Sequence, residues 1–578
     1  MNNDSEKLAQ LRHSCAHLLA AAVAHLYPDA KRTIGPSIET GFYYDFEFQT
    51  PLSDDELPKI EEEMARILPT WTEMTHEEVT ADQARERFAG NPYKIELINE
   101  FSAEGQTLTI YTSGDFSDLC RGGHSENPSK EIGAFKLLNL AGAYWRGNEK
   151  NTMLTRIYGT CFSTKEELDS YLKMLEEAKL RDHKKLGPQL DLFVFSELVG
   201  SGLPLWTPKG TLLRNLLDSY VWEIRQRYGY ERVEIPHITK KDLYERSGHW
   251  DKFKDELFRI TTREGHEFAM KPMNCPHHTQ IYNRKQWSYR ELPQRYANTT
   301  MCYRDEQSGE LSGLSRVRSF TQDDAHVFCR LSQSKEEFLK IWDIVHEFYG
   351  RLGFALRVRL SLHDPAEPDK YLGNPDRWEY AENMLREIVQ EKKIDWFEGV
   401  GEAAFYGPKL DFMAKDSIGR EWQVATIQLD MNMPERFDLS CVNENNEHER
   451  IVMIHAAIMG SIERFLSIAI EHFAGAFPVW LSPVQVQLVS VAEAFIPTAQ
   501  ELAEKLKKAG IRTHLDDSKE SVGYKVRSAA KDKIPYIIVI GEKEKDLAQL
   551  SVRVRGQEEA LVTSVDDFVN RIKGECDV

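Results

Sequence analysis

The chain has 578 residues, too many for one hydrophobic core, so about three or four domains are expected. Its composition, 41% hydrophobic and 29% charged, is that of a globular protein, and no uncharged apolar run reaches the roughly 18 residues a membrane span needs. A net charge of −19 excludes a general nucleic-acid coat but leaves room for a folded-RNA binder with local basic patches.

The first residues, MNNDSEKLAQLRHS, lack the basic-then-apolar order of a secretory signal. Eight cysteines lie scattered without a framework spacing, which points to reduced thiols and a cytoplasmic protein. Leu11, Cys15, Leu18, Ala22 and Leu26 recur at three-to-four spacing and predict an amphipathic helix over 10–27, ended by Pro28. That helix carries His13 and His17 on one face, and DLCRGGH supplies Cys120 and His124 at the same spacing. By residue type this is a zinc donor set, so a metal site near the N-terminus is one reading. Turn-rich sequence then runs to about Phe162. STKEELDSYLKMLEEAKLRDHKKLG predicts a charged linker helix, capped by Ser163 with Glu166 three residues on and closed by Gly187.

From Pro188 to Pro483, strand-like and helical segments mix without regular alternation, predicting an antiparallel sheet with flanking helices. The last stretch alternates: VQVQLVSV as a strand, PTAQELAEKLKKAG as a helix, PYIIVIG as a buried strand and VDDFVNRIKGE as a helix, which is a small α/β domain. From Val484 onward 15 Lys+Arg stand against 16 Asp+Glu, leaving 58 against 76 elsewhere. A nearly neutral segment in an acidic chain suits one that faces a polyanion. The expected division is therefore 1–162, a linker over 163–187, then 188–483 and 484–578, an α+β multidomain chain.

The most informative stretch is MCYRDEQSGELSGLSRVRSFTQDDAHVF, residues 301–328. Its middle, QSGELSGLS, reads as a loop between two strand-like arms. By strand parity Arg316, Arg318, Phe320, Gln322, Asp324 and His326 share one face, while Cys302, Arg304 and Glu306 fall together on the first arm. A hairpin of this kind gathers arginines, an aromatic ring, carboxylates and a histidine on one side. Guanidinium forks suit phosphate oxygens, Phe320 could stack on a base, and Glu306 could accept from an exocyclic amine. The bland alternative is a solvated charged hairpin.

This segment resembles motif 2 of class II aminoacyl-tRNA synthetases, and in detail the threonyl-tRNA synthetase family. GHWDKFKDELF, KPMNCPHH, FTQDDAHVF, EAAFYGPKLDF, ATIQLD and MIHAAIMGSIERF occur in that family's order. EIPHI resembles motif 1 and GSIERF resembles motif 3. The resemblance implies an antiparallel class II catalytic sheet, an N-terminal α+β editing domain and a C-terminal α/β anticodon-binding domain. It implies ATP-dependent activation of L-threonine, transfer to tRNA(Thr), hydrolysis of mischarged seryl-tRNA(Thr), and a homodimer formed through motif 1.

Residue by residue, the resemblance puts Arg304 at the α-phosphate of ATP and Arg464 at the γ-phosphate, with Arg316 and Lys409 as further catalytic groups. Glu306, Phe320, Gln423, Thr426 and Ser461 would hold the nucleotide. Gly460, read as one helical turn before Arg464, would leave space for it. Magnesium is expected with ATP. Gln322, Asp324, Tyr406, Gln428 and Met273 would line the threonine pocket. Thr426 and Gln428 share a strand face by parity, and Gln423 falls on the other.

Cys275, His326 and His455 match the family's zinc ligands, one ion per subunit. By type alone His277, His278, Cys302 and Cys329 are equally eligible. Three ligands leave zinc an open valence, and a site that demands the threonine hydroxyl can reject valine by ~10⁴-fold. His277 departs from the family, which commonly has glycine there. Serine keeps the hydroxyl and lacks only a methyl, worth about 10–200-fold, so a second, hydrolytic site is expected. His13, His17, Lys94, Asp118, Cys120 and His124 match the editing cluster. Alanyl-type editing domains bind zinc with the same spacing, whereas the threonyl family's cluster is read as metal-free. Arg527, Glu544 and Arg553 are candidates for anticodon contact, with a solvated surface as the alternative for each.

The ubiquitin-like domain that many members carry at the N-terminus is expected to be absent. A synthetase-like RNA-binding regulator without aminoacylation would be expected to lack Arg304, Arg464 or the zinc trio, all of which are present. A free-standing metallohydrolase would account for 1–162 alone.

Overall fold

The structure, a computed structural model, describes residues 3–577. It divides into two compact units, Met1–Glu176 and Glu177–Val578.

In the first unit the helix Asn3–Leu26 packs on a sheet that contains Gly41–Glu47, Met153–Phe162 and Ala134–Tyr144 as successive neighbours. Leu11, Cys15, Leu18, Leu19, Ala22 and Val23 are buried in one cluster with Phe42, Tyr44 and Phe46. The helix begins seven residues before the apolar periodicity, because its polar first turns need helix propensity rather than burial. A smaller sheet of Thr75–Val79, Leu108–Ser113 and Phe116–Leu119 carries the unit's second face of chemistry, with the helix Pro92–Ala103 beside it.

The expected linker helix is two helices, Lys165–Arg181 and His183–Gln189. The first starts one residue later than the sequence suggested. Thr164 and Glu167 exchange the reciprocal capping bonds, each 3.2 Å, in place of Ser163 and Glu166. The break falls at Asp182, whose side chain caps the second helix by accepting from the Lys184 N–H (2.8 Å). Gly187 does not stop that helix but lies buried inside it, where a Cβ would stand 2.1 Å from the Phe193 ring.

The second unit is built on an eight-stranded sheet. In chain order its strands are β1 (Glu231–Arg232), β2 (Gln294–Tyr303), β3 (Ser319–Cys329), β4 (Ala355–Leu362), β5 (Trp396–Val400), β6 (Lys409–Lys415), β7 (Glu421–Asp430) and β8 (Val452–Ser461). They lie in the order β1-β2-β3-β8-β7-β6-β4-β5. Only the two edge pairs, β1–β2 and β4–β5, are parallel. The helices Pro208–Arg227, Ser334–Arg351, Pro375–Lys392 and Ile462–Phe473 accompany the sheet. Val327, Ile427, Leu410, Phe412 and Ile454 from the strands share one core with Phe338, Ile341, Phe348 and Phe465 from the helices.

Two irregularities in this sheet matter for the site. One lies between β3 and β8 at Gln322/Asp324, and the other between β6 and β7 at Phe412/Met413. Each inserts residues that break strict side-chain alternation.

The C-terminal part is a five-stranded sheet in the order Thr513–Asp516, Val486–Ser490, Tyr536–Ile540, Leu550–Val554, Leu561–Thr563. The first three strands are mutually parallel and the last two antiparallel. Ile496–Lys508, Val522–Lys531 and Val565–Cys576 are its helices. The two antiparallel strands and the helix Val522–Lys531 were not among the expected elements, although Leu550, Val552 and Val554 alternate with polar residues.

Candidate functional site

The arms around 301–328 are shorter than their alternation suggests: β2 ends at Tyr303 and β3 starts at Ser319. The intervening segment folds back on itself. Ser312 N–H donates to the Arg316 carbonyl (3.1 Å), and Leu314 is fully buried in the main core. Arg304, Glu306, Arg316 and Arg318 therefore sit off the strands. Glu306 accepts from Arg316 Nε (2.8 Å), and Arg316 also pairs with Glu310 (3.0 Å). The Glu306 carboxylate is thus already engaged by a guanidinium, and Arg316 stands half-exposed outside the central cavity.

That cavity, about 440 Å³, opens over β3, β7 and β8. Met273, Cys275, Arg304, Phe320, Gln322, Asp324, His326, Tyr406, Gln423, Thr426, Gln428, His455, Ser461 and Arg464 all face it. Arg304 lies over the Phe320 ring at 5.2 Å, and its Nε is buried without a partner. Neither Arg304 nor Arg464 forms an ion pair among the described residues. Arg464 sits in the first turn of Ile462–Phe473, where Ser461 Oγ accepts from its N–H (3.2 Å). A helix N-terminus adds its own positive end to that guanidinium. Gly460 is not on the helix, as the sequence suggested, but at the end of β8 with φ +69°. It serves the backbone turn into the helix, in a conformation that costs other residues energy.

Cys275 is the first residue of the helix Cys275–Tyr282, His326 lies on β3 and His455 on β8. The two histidines are direct register partners. One donor atom from each of the three lies within 4.8 Å of the others. Asp430 Oδ2 can only accept, so His455 Nε2 (3.0 Å away) carries the hydrogen and Nδ1 keeps its lone pair. That Nδ1 faces His326 Nε2 at 3.0 Å. His326 Nδ1 is 2.7 Å from His278 Nδ1. When it donates there, both facing nitrogens present lone pairs beside the Cys275 sulfur. Burial raises the Cys275 thiol well above its ordinary range, with Asp324 and Asp430 pushing the same way. A thiolate there needs the charge of a cation, and the donor set of one sulfur and two imidazoles fits zinc.

The other candidates of the same type lie elsewhere. His278 stands behind His326, Cys302 lies 3.5 Å from Asn274 Oδ1, and Cys329 is in the main core. His277 turns to Thr239 Oγ1 (2.5 Å) and the Tyr244 ring, away from the trio.

The threonine-pocket candidates are held from behind. Asn274 Nδ2 donates to Asp324 Oδ2 (3.1 Å), and the fully buried Lys271 donates to Asn274 Oδ1 (3.0 Å). Tyr406 stacks on His455 at 5.0 Å and donates to Gln428. Gln423, misplaced by parity, reaches the cavity because of the irregularity at Phe412/Met413. Its Nε2 donates to Asp411 Oδ1 (2.8 Å) and Thr426 Oγ1 (3.2 Å). Asp411, unnoticed in the sequence, is fully buried and accepts from Lys409, Arg359, Ser361, Gln423 and Thr426. Lys409 donates to it at 2.5 Å and does not face the cavity directly.

A second cavity, about 350 Å³, lies in the first unit and is lined by His13, His17, Tyr44, Lys94, Asp118 and Cys120, among others. His13, His17, Cys120 and His124 offer ligand atoms within 4.8 Å of one another. Gly122 and Gly123, at φ +104° and +81°, turn the chain between Cys120 and His124. Burial pushes His13, His17 and His124 below the ordinary imidazole range, so they stand neutral. His13 Nδ1 donates to the Gly123 carbonyl (3.3 Å), leaving its Nε2 lone pair facing the Cys120 sulfur (3.4 Å), which His124 Nε2 also approaches (3.2 Å). Lys94 Nζ is 2.7 Å from Asp118 Oδ1, both side chains almost wholly buried, and Tyr44 also donates to Asp118. Burial lowers the Lys94 ammonium while Asp118 opposes the shift. Tyr44 was missed in the sequence.

In the C-terminal part Arg527 and Arg553 are exposed. Glu544 is buried, and its carboxylate accepts from the Gly541 N–H (3.2 Å) of its own turn.

An antiparallel sheet that brings two unpaired arginines and a nucleotide-sized cavity together is the core of a class II aminoacyl-tRNA synthetase. Residues 258–473 match the family described as tRNA synthetase class II core domain (G, H, P, S and T), 485–575 match the anticodon binding domain, and 108–158 match the threonyl and alanyl tRNA synthetase second additional domain. Threonine–tRNA ligases of Rubrobacter xylanophilus and Porphyromonas gingivalis are each 47% identical, over 99% and 100% of this chain and 89% of theirs. The chain belongs to the threonine–tRNA ligase family. Among solved structures, the RNA binding domain of threonyl-tRNA synthetase from Cryptosporidium parvum is similar at a TM-score of 0.65 and 36% identity, over 68% of this chain and 98% of that one. A putative threonyl-tRNA synthetase from Aeropyrum pernix is similar at 0.60 and 30%, over 68% and 96%.

Proposed function

We infer that the chain activates L-threonine with ATP in the central cavity, transfers it to tRNA(Thr), and hydrolyses seryl-tRNA(Thr) at the cavity of the first unit. The observation that carries this reading is the pair Arg304 and Arg464, both uncommitted, on the wall that also holds Cys275, His326 and His455. Threonine's carboxylate attacks the α-phosphorus and pyrophosphate leaves. Fixed guanidiniums at the α- and γ-phosphates neutralise the charge that develops. Phe320 and Glu306 hold adenine, Gln423, Thr426 and Ser461 the remaining nucleotide, and magnesium accompanies the phosphates. A ribose hydroxyl at the 3′ end of the tRNA then attacks the activated carbonyl and releases AMP.

Cys275, His326 and His455 would hold one zinc ion, which would offer coordination to the amino and hydroxyl groups of threonine. Asp324 accepts from that hydroxyl, held for the purpose by Asn274. Gln322, Tyr406, Gln428 and Met273 complete the pocket. In the first unit, neutral His13, His17 and His124 position water and the terminal ribose, and Lys94 and Asp118 assist ester hydrolysis. No metal is assigned there, following the resemblance to the threonyl family, whose cluster is read as metal-free.

The functional division follows 1–162, 163–187, 188–483 and 484–578, with Arg527 and Arg553 as the exposed anticodon candidates. A homodimer formed through the motif 1 segment EIPHI is part of this reading, and Val194, Phe195, Leu198, Val199 and Leu205, just before the helix Pro208–Arg227, are exposed apolar side chains. Among the described residues no helix is long and apolar enough to cross a membrane, and reduced cysteines suit the cytoplasm.

The test supplies ATP, threonine and a tRNA(Thr) transcript, and measures acid-stable threonyl-tRNA. A second arm follows serine release from seryl-tRNA(Thr). Charging and release are expected together. Absence of charging by zinc-loaded protein would refute the ligase reading, and release no faster than spontaneous hydrolysis would refute the editing one.

A further inference from the structure

His183 lies just after the helix break at Asp182, in the stretch expected to be a linker, and no functional role is given to it above. It is 3% exposed, and both of its ring nitrogens are engaged. Nε2 is 3.1 Å from the backbone N–H of Leu314, a group that can only donate. Nε2 therefore carries the lone pair, Nδ1 carries the hydrogen, and Nδ1 donates to Glu471 Oε1 at 2.6 Å. Glu471 is itself paired with Arg420 (2.6 Å), so its charge is balanced and it serves as a fixed acceptor.

The two ends of this bridge have different functions. Glu471 belongs to the helix Ile462–Phe473, whose first turn carries Arg464. Leu314 belongs to the segment between β2 and β3 that carries Glu306 and Arg316. A second bond runs the same way, Ser315 Oγ to Ser467 Oγ at 2.9 Å. At Gly313, φ is +51° and a Cβ would stand 2.3 Å from His183 Nε2. The loop is thus seated directly on the imidazole, with no room for a side chain between them.

We propose that His183 is a positioning residue for ATP binding: through Glu471 and Leu314 it fixes the 304–318 loop against the helix that carries Arg464. Without it the buried Leu314 amide loses its acceptor, and Glu306 and Arg316 are no longer held in register with Arg464. The inference rests on the active-site reading above.

The test compares His183→Asn with His183→Gln in the full chain. Asparagine can still donate to Glu471 but places no acceptor at the position of Nε2; glutamine can present its carbonyl there. Two readouts are taken. Amide hydrogen exchange over 312–316 reports the tether whatever the loop does in catalysis. Threonine-dependent ATP–pyrophosphate exchange reports the function. His183→Asn is expected to speed exchange of the Leu314 amide and to raise KM for ATP about tenfold, the loss of one buried hydrogen bond, with KM for threonine nearly unchanged. His183→Gln is expected to restore most of both. Equal behaviour of the two variants, or equal rises in both KM values with a lowered unfolding midpoint, would reduce His183 to a packing residue. An unaltered chain inactive in pyrophosphate exchange would end the active-site reading instead, while the amide readout still judged the tether.

Discussion

His326 and His455 face each other across β3 and β8 as register partners, with Nε2 and Nδ1 3.0 Å apart. Two imidazoles at this spacing, each backed by a hydrogen-bond partner and flanked by a buried thiol, are a ligand set awaiting a cation. The first unit holds a cluster of similar composition, His13, His17, Cys120 and His124, to which no metal is assigned. Metal analysis of the purified chain is accordingly expected to find one zinc per chain rather than two. Cys275→Ser should remove it and lower threonine activation by about 100-fold or more, whereas Cys120→Ser should leave zinc content unchanged. Two zinc ions per chain, one lost with each substitution, would show that the first unit is a metal site too.

Among the described residues Arg304 and Arg464 have no carboxylate partners, so removing either costs little folding energy. Alanine at each position is expected to lower pyrophosphate exchange by about 10²–10³-fold, the scale of one lost transition-state donor. The unfolding midpoint should move little. A large stability loss with modest kinetic change would mean that the guanidiniums hold the fold rather than the phosphates.

Asp411 gathers Lys409 and Arg359, two cations, under Gln423 and Thr426. Asp411→Asn leaves the largely buried Lys409 without its counter-charge and Arg359 with only Glu402 (3.3 Å), and is expected to cost about 3 kcal/mol of stability while raising KM for ATP. Ser361→Ala removes only one donor to the same carboxylate (2.7 Å) and should cost about 1 kcal/mol. Denaturant unfolding of both variants checks the ranking, and similar costs would contradict the hub.

Asp323, like its neighbour Asp324, which burial raises to about 6, carries a pH dependence with a clear structural origin. It accepts from Arg225 (3.2 Å) and from the N–H groups of Ile458 and Met459 (3.0 and 2.9 Å), holding the irregular end of β8. Burial nonetheless raises it to about 7, against the lowering pull of Arg225 and the two amides. An acid raised on folding contributes stability that is full below its unfolded pKa, near 4, and is lost as pH rises toward 7. Unfolding measured between pH 4 and 7 should show this decline, and Asp323→Asn should reduce it, leaving the part that Asp324 carries. An unchanged slope in the variant would assign the decline to other groups.

How much of this was legible in the sequence depends on how local each feature is. The alternation of β3 was readable from period two, and it correctly gathered Phe320, Gln322, Asp324 and His326 on the cavity. Arg316 and Glu306 were not placed correctly, because the burial of Leu314 folds their segment back before the strands begin. Gln423 defeated parity for a physical reason: the irregularity opposite Phe412 turns it to the side of Thr426. The trio Cys275, His326 and His455 comes from three separate elements. No spacing rule could choose it over His278 or Cys302, and only the family resemblance did. Asp411 and Lys271 were invisible, since a buried charge has no sequence signature until its partners converge. Gly460 was read as making space, whereas its left-handed backbone turns β8 into the next helix.

The most direct measurement is pyrophosphate exchange by the zinc-loaded chain with threonine and with valine, which is nearly isosteric but lacks the hydroxyl. The account expects rapid exchange with threonine and a preference of about 10⁴-fold in kcat/KM. No exchange with threonine, or exchange with valine within about tenfold of it, would contradict the claim that this cavity activates threonine by reading its hydroxyl.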